Sequence, residues 1–203
     1  MTWSADVVML YRITQSISTN IHVIQFLSNG VFVSANSLFN LVLYNRFNGS
    51  QLKTLNGHTS IIYAIEIIDN KLIASAAMDF TIRLWNYING TNVQTMNAST
   101  PYVFCLKLLS NGLLASGDGM AYVKLWNISQ NGNLVANLTG HTGQVRAMDL
   151  LSINVLASCD TNKVVILWNL LTNTLLNLIT TQHTNSIYSL RALSSNSFAT
   201  GFF

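Results

Sequence analysis

Thr81-Ile82-Arg83-Leu84-Trp85-Asn86 is the stretch on which the reading of this chain turns. Variants of it stand elsewhere in the same chain: Leu41-Val42-Leu43-Tyr44-Asn45, Val123-Lys124-Leu125-Trp126-Asn127 and Val165-Ile166-Leu167-Trp168-Asn169. With Trp3, the aromatic position reads Trp3, Tyr44, Trp85, Trp126, Trp168, at spacings of 41, 41, 41 and 42 residues. A period of this length means one supersecondary unit copied several times, each copy unable to bury its apolar face alone.

Working outward from Trp85 defines the unit. It begins at Gly57-His58-Thr59 and runs into strand-favouring residues 62–68, with a turn at Asp69-Asn70-Lys71. A second strand covers 72–76, and Met78-Asp79-Phe80 turns tightly into the third. Asn89-Gly90 is a strong hairpin signal, and 92–96 makes a fourth strand. Four short strands form one antiparallel sheet with two apolar faces. Copies arranged radially cover every such face, which predicts an all-β protein, a β-propeller of four-stranded blades.

Composition agrees with this. Half of the 203 residues are hydrophobic and only 8% are charged, so Asn, Ser and Thr must cover the solvent faces. Apolar runs such as 61–68 are short and bounded by turns, and none approaches a membrane-spanning helix. The N-terminus lacks a basic region followed by an apolar one, so no signal peptide is read. Cys105 and Cys159 lie in different repeats and read as buried free thiols of a cytoplasmic protein, with a nuclear location as the alternative. The net charge is +3 and the ten basic residues are scattered, which predicts neither a nucleic-acid nor a membrane partner.

Gly-His about 27 residues ahead of Trp-Asn, Ala-Ser in the second strand and Asp-x-x-[Ile/Val]-x-Leu-Trp in the third resemble the WD40 repeat. The likeness covers nearly the whole chain. Gly57-His58 recurs as Gly140-His141 and as Gln182-His183, and Ala74-Ser75 as Ala115-Ser116, Ala157-Ser158 and Ala199-Thr200. The units are expected at 1–16 (partial, an outer strand at 7–12), 17–56, 57–97, 98–139, 140–181 and 182–203 (partial). The resemblance implies a buried hydrogen-bonded tetrad of loop His, strand Ser, turn Asp and strand Trp. Carried over, it is His58, Ser75, Asp79 and Trp85 in one unit, and His141, Ser158 and Trp168 in another, with Asn162 where Asp79 aligns. The third unit keeps Ser116 and Trp126 but has Ser99 and Met120 at the His and Asp places; the first has Ser34, with Tyr44 for Trp.

Five residues beyond the loop His stand, in repeat order, His22, Tyr63, Phe104, Arg146 and Tyr188. The resemblance implies that this position points to a channel rim where partner peptides dock, bordered by the turn residues Ser37, Met78, Gly119 and Thr161. Neighbouring positions are aliphatic, whereas this one collects residue types enriched at binding hot spots. Channel filling by the same rings is the competing role.

His58, His141 and His183 fall in different units without accompanying acids or thiols, so no metal site is expected. With seven acids in the chain, neither a carboxylate pair nor a nucleophile triad stands out, and no cofactor or enzymatic activity is expected. Function is read as a non-enzymatic interaction scaffold binding proteins or peptides. The alternative is a segment of a larger WD40 regulatory or ubiquitin-ligase adaptor protein, and behind it a propeller-based enzyme. The length fits five periods closing on themselves or, as the favoured expectation, part of a seven-bladed ring of about 290 residues. An open array would expose sheet faces and self-associate.

Overall fold

The computed structural model describes residues 20–27, 30–100 and 102–202. They form 18 strands in five antiparallel sheets, taken in chain order. The first holds β1 (Ile21–Phe26), β2 (Val31–Asn36), β3 (Leu41–Asn45) and β4 (Gln51–Leu55). The second holds β5 (Ile62–Ile67), β6 (Leu72–Ala77), β7 (Thr81–Asn86) and β8 (Thr91–Asn97). The third holds β9 (Val103–Leu108), β10 (Leu114–Asp118), β11 (Val123–Asn127) and β12 (Asn133–Leu138). The fourth holds β13 (Val145–Ser152), β14 (Val155–Asp160), β15 (Val164–Asn169) and β16 (Thr174–Thr180). The fifth has β17 (Ile187–Ser194) and β18 (Ser197–Phe202). Four four-stranded sheets and a two-stranded fifth agree with the all-β architecture of four-stranded blades. Trp3, the expected outer strand at 7–12 and the unit 1–16 lie outside the described residues.

The local chemistry of each sheet repeats. The Asn after each aromatic makes an Asx-turn, its Oδ1 accepting the N–H two residues on. The distances are 2.8 Å from Asn45 to Phe47, 3.0 Å from Asn86 to Ile88, 3.2 Å from Asn127 to Ser129 and 2.9 Å from Asn169 to Leu171. That bond starts the turn between third and fourth strands, which is the physical reason for the recurrent Trp-Asn. A bulge then follows in each fourth strand opposite the aromatic. It leaves Leu52, Val93, Val135 and Leu176 out of the pairing register and half exposed.

Between consecutive sheets lies one apolar layer. Val33, Leu41, Ile62, Ile73 and Trp85 fill the first interface, and Ala74, Ile82, Val103, Leu114 and Trp126 the second. Leu125, Val145, Leu156 and Trp168 fill the third, and Cys159, Val165, Ile187 and Leu190 the fourth. Trp85, Trp126 and Trp168 thus each pack against the sheet before their own. Two sheets meet so tightly beside Gly117 that a Cβ there would lie 2.6 Å from Cys105 Sγ and from Val145 Cγ1. Cys105 and Cys159 are free and buried, and burial pushes the Cys159 thiol up to about 12.

First strands lie side by side in the order β1, β5, β9, β13, β17. Acidic side chains tie them across the sheets. Glu66 Oε1 accepts the Leu108 N–H at 3.0 Å, and Asp149 Oδ2 accepts the Ala192 N–H at 2.9 Å. Lys107 Nζ meets Asp149 Oδ1 at 2.8 Å. Among the described residues β17 does not return to pack on β1, so the fan of sheets is open.

Candidate functional site

The four residues that the resemblance grouped as a tetrad, His58, Ser75, Asp79 and Trp85, come together in the second sheet. The Trp85 indole N–H, a donor only, gives its hydrogen bond to Ser75 Oγ at 2.8 Å. Ser75 in turn stands 2.7 Å from His58 Nε2, and His58 Nδ1 stands 2.8 Å from Asp79 Oδ2. One proton order satisfies all four groups: Trp to Ser, Ser to Nε2, and Nδ1–H to the carboxylate. The second Asp79 oxygen accepts the Thr81 N–H at 3.0 Å and its hydroxyl at 2.7 Å. Burial alone would raise the Asp79 pKa. The hydrogen bonds from His58, the Thr59 N–H and Thr81 outweigh it and hold the carboxyl well below the usual range.

In the fourth sheet the acid does not stand at the position that aligns with Asp79. Trp168 donates to Ser158 Oγ at 2.7 Å and Ser158 reaches His141 Nε2 at 2.6 Å, as expected. The acid is Asp160, whose Oδ2 stands 2.9 Å from His141 Nδ1, and Asn162 contributes only its backbone N–H to Asp160 Oδ1. Burial opposes ionisation of Asp160 too, and His141 with the Val164 and Gly143 N–H groups lowers its pKa regardless. Asp79 sits in the turn; Asp160 ends the second strand, two positions earlier in the unit. Asn36, Asp118 and Asp160 share that strand-end place and each accepts two turn N–H groups through one Oδ1. The second sheet has Ala77 there instead. A carboxylate can reach the loop from either place because the turn folds back over the strand end. The signal for this was Asn36, Asp118 and Asp160 themselves, recurring at twice 41 and then 42 residues.

The third sheet also departs from expectation. Met120, at the expected Asp place, is exposed, and Ser99 gives its backbone N–H to Asn97 Oδ1. Trp126 still donates to Ser116 Oγ at 2.8 Å. Asp118 Oδ2 accepts the Thr100 hydroxyl at 2.7 Å, and the buried Lys124 ammonium lies 3.5 Å from the same oxygen. Lys124 also donates to Thr100 Oγ1 and to the Ala98 carbonyl. A lysine from the third strand fills the gap left by the missing histidine. In the first sheet Ser34 Oγ is buried beside Tyr44, without a hydrogen bond of regular geometry among the described residues. His183 repeats half the motif, with Nε2 2.6 Å from Thr200 Oγ1.

At the turn end of the first strands the rim positions come together. Backbone bonds place them equivalently: Ser37, Met78, Gly119 and Thr161 each donate an N–H to the residue two before His22, Tyr63, Phe104 and Arg146. The Tyr63 and Phe104 rings meet edge-on at 5.1 Å, and Tyr102, which sequence reasoning did not single out, stacks on Phe104 at 6.0 Å. The Arg146 guanidinium carbon lies 3.8 Å from the Phe104 centroid and 5.0 Å from that of Tyr188. Tyr63, Phe104, Arg146 and Tyr188 therefore form one continuous run across four sheets. His22 holds the equivalent place on β1, exposed and outside this run of rings.

Against known proteins, a family model described as "WD domain, G-beta repeat" matches residues 49–86 and 132–169. Those two segments carry the complete tetrads' strands. They are WD40 repeats. The WD40 reading extends to the whole fold, since the WD40 β-propeller domain of Doa1 superposes with a TM-score of 0.78 at 21% identity, covering 90% of this chain and 60% of that one. The computationally designed protein Ika8 superposes with a TM-score of 0.77 at 24% identity, covering 90% of this chain and 55% of that one. The chain thus spans little more than half the length of these two structures. No curated protein matches the sequence. Among the described residues no three His, Cys, Asp or Glu side chains gather as a metal site, and no helix is long and apolar enough to cross a membrane.

Proposed function

We propose that this chain is a non-enzymatic, cytoplasmic interaction scaffold that receives a peptide segment of another protein along the rim formed by Tyr63, Phe104, Arg146 and Tyr188. WD40 propellers are generally protein-interaction scaffolds, which supplies the class. One observation carries the finer reading. Four large side chains, each at the same place in its repeat, touch one another in a half-exposed line instead of dispersing into the core. Aromatic and Arg side chains concentrate binding energy because they offer large, rigid, amphipathic area at little entropic cost.

The test is chemical crosslinking of the full chain in cell extract, with wild type beside a Tyr63→Ala/Phe104→Ala variant. A control variant carries Val93→Ser and Val135→Ser at the outer bulges. Partners retained by the control and lost with the rim variant support the reading. A rim variant that keeps its far-ultraviolet circular dichroism and every partner overturns it.

A further inference from the structure

We infer that the segment received by this rim presents a carboxylate side chain to Arg146, next to an apolar or aromatic residue. The inference rests on the rim reading above and names the chemistry of what binds there.

Arg146 stands apart from most inward-facing cations of the fold. Lys107 has Asp149 at 2.8 Å and Lys124 has Asp118 at 3.5 Å, so the chain supplies its own carboxylates to both. No carboxylate lies within ion-pairing distance of Arg146 among the described residues, and its Nε is buried without a hydrogen-bond partner. Arg83 has an orphaned Nε too, but it lies against Trp85 and Gly57, away from the rim. The Arg146 guanidinium carbon lies over the Phe104 ring, 3.8 Å from its centroid, and over the Tyr188 ring at 5.0 Å. Cation–π contact uses the charge of a guanidinium without using its N–H donors, and those donors match a carboxylate bidentately. Packing against two rings also restrains the guanidinium, so little freedom is lost when an anion arrives.

The neighbourhood defines the rest of the segment. Tyr63, Phe104 and Tyr102 continue the line on one side as an apolar platform, bordered by Met78, whose sulfur takes the Tyr63 hydroxyl at 3.4 Å. Arg146 is the single charged residue among the rim positions that touch one another, which suits a singly charged carboxylate better than a doubly charged phosphate.

The experiment is selection of randomised peptides displayed on phage against the immobilised full chain. Enriched peptides are then measured by fluorescence anisotropy on wild type, Arg146→Gln, Arg146→Met and Phe104→Ala. The expected result is enrichment of Asp or Glu beside an apolar residue, with affinity falling about tenfold or more in both Arg146 variants. Replacing the peptide acid by its amide should cost wild type the same factor and the Arg146 variants little. Peptides without acidic enrichment, or bound equally by the Arg146 variants yet lost in Phe104→Ala, overturn this inference and leave the rim reading standing. Selected peptides indifferent to all three substitutions overturn the rim reading itself.

Discussion

The second and third sheets hold the same indole over the same serine and complete the network with different chemistry. In the second, a chain of hydrogen bonds runs from Trp85 through Ser75 and His58 to the Asp79 carboxylate. In the third, the chain stops at Ser116, and a separate buried ion pair of Lys124 and Asp118 occupies the loop side, bridged by Thr100. Both fill the same gap between strand and loop. They differ in what happens when one member is removed. Removing Asp79 orphans hydrogen-bond donors, whereas removing Asp118 strands a buried ammonium.

The largest expected effect comes from breaking the charged version. Asp118→Ala should cost about 3–5 kcal/mol in denaturant unfolding, because it leaves the Lys124 ammonium buried without its counter-charge. Asp79→Ala, which leaves the His58 ring N–H and the Thr59 and Thr81 donors without their acceptor, should cost about 1–3 kcal/mol. Equal losses at the two sites would show that charge burial does not distinguish the sheets. Next come the serines. Ser75→Ala orphans both Trp85 and His58 and should cost about 2 kcal/mol, against about 1 kcal/mol for Ser116→Ala, which orphans Trp126 alone. A larger loss at Ser116 would mean the third sheet relies on the indole bond more than its partners indicate.

A rescue sharpens the point about the acid's position. Adding Ala77→Asp to Asp79→Ala moves the carboxylate to the strand end used by Asp118 and Asp160. Recovery of about 1 kcal/mol is expected, and no recovery would show the two places are not interchangeable.

The smallest effect is on acid stability. Asp79 and Asp160 are held below the unfolded carboxylate value of about 3.9. Their contribution is therefore fully present above that pH and is lost as pH falls through the depressed native values. Wild type should lose melting temperature between pH 5 and pH 2 more steeply than Asp79→Asn, by about 2–4 °C. Parallel profiles would sink the assignment of Asp79 as a titrating contributor.

The rim extends the comparison. Its residues were legible because the period makes Tyr63, Phe104, Arg146 and Tyr188 the same position in successive units. Tyr102 escaped notice because it lies two residues earlier, where its counterparts are Ile61 and Gln144, and only packing brings its ring onto Phe104. Asp160 and Lys124 were misassigned or passed over for a related reason. Aligning on Asp79 took as the rule the one sheet that places its acid in the turn, and Lys124 carries no sequence mark of replacing a histidine from another loop.

By itself the sequence determined the repeat length and the strands. These follow from periodic burial and from turn residues such as the Asn after each aromatic, whose chemistry acts within a few residues of chain. The tertiary structure decided which acid meets each histidine, that a lysine closes the third sheet, and that an arginine lies between two aromatic rings at the rim. Those contacts join residues up to 42 positions apart, several from different sheets, and a hydrogen bond or a ring contact depends on where atoms are in space, which a repeat register fixes only to within a turn.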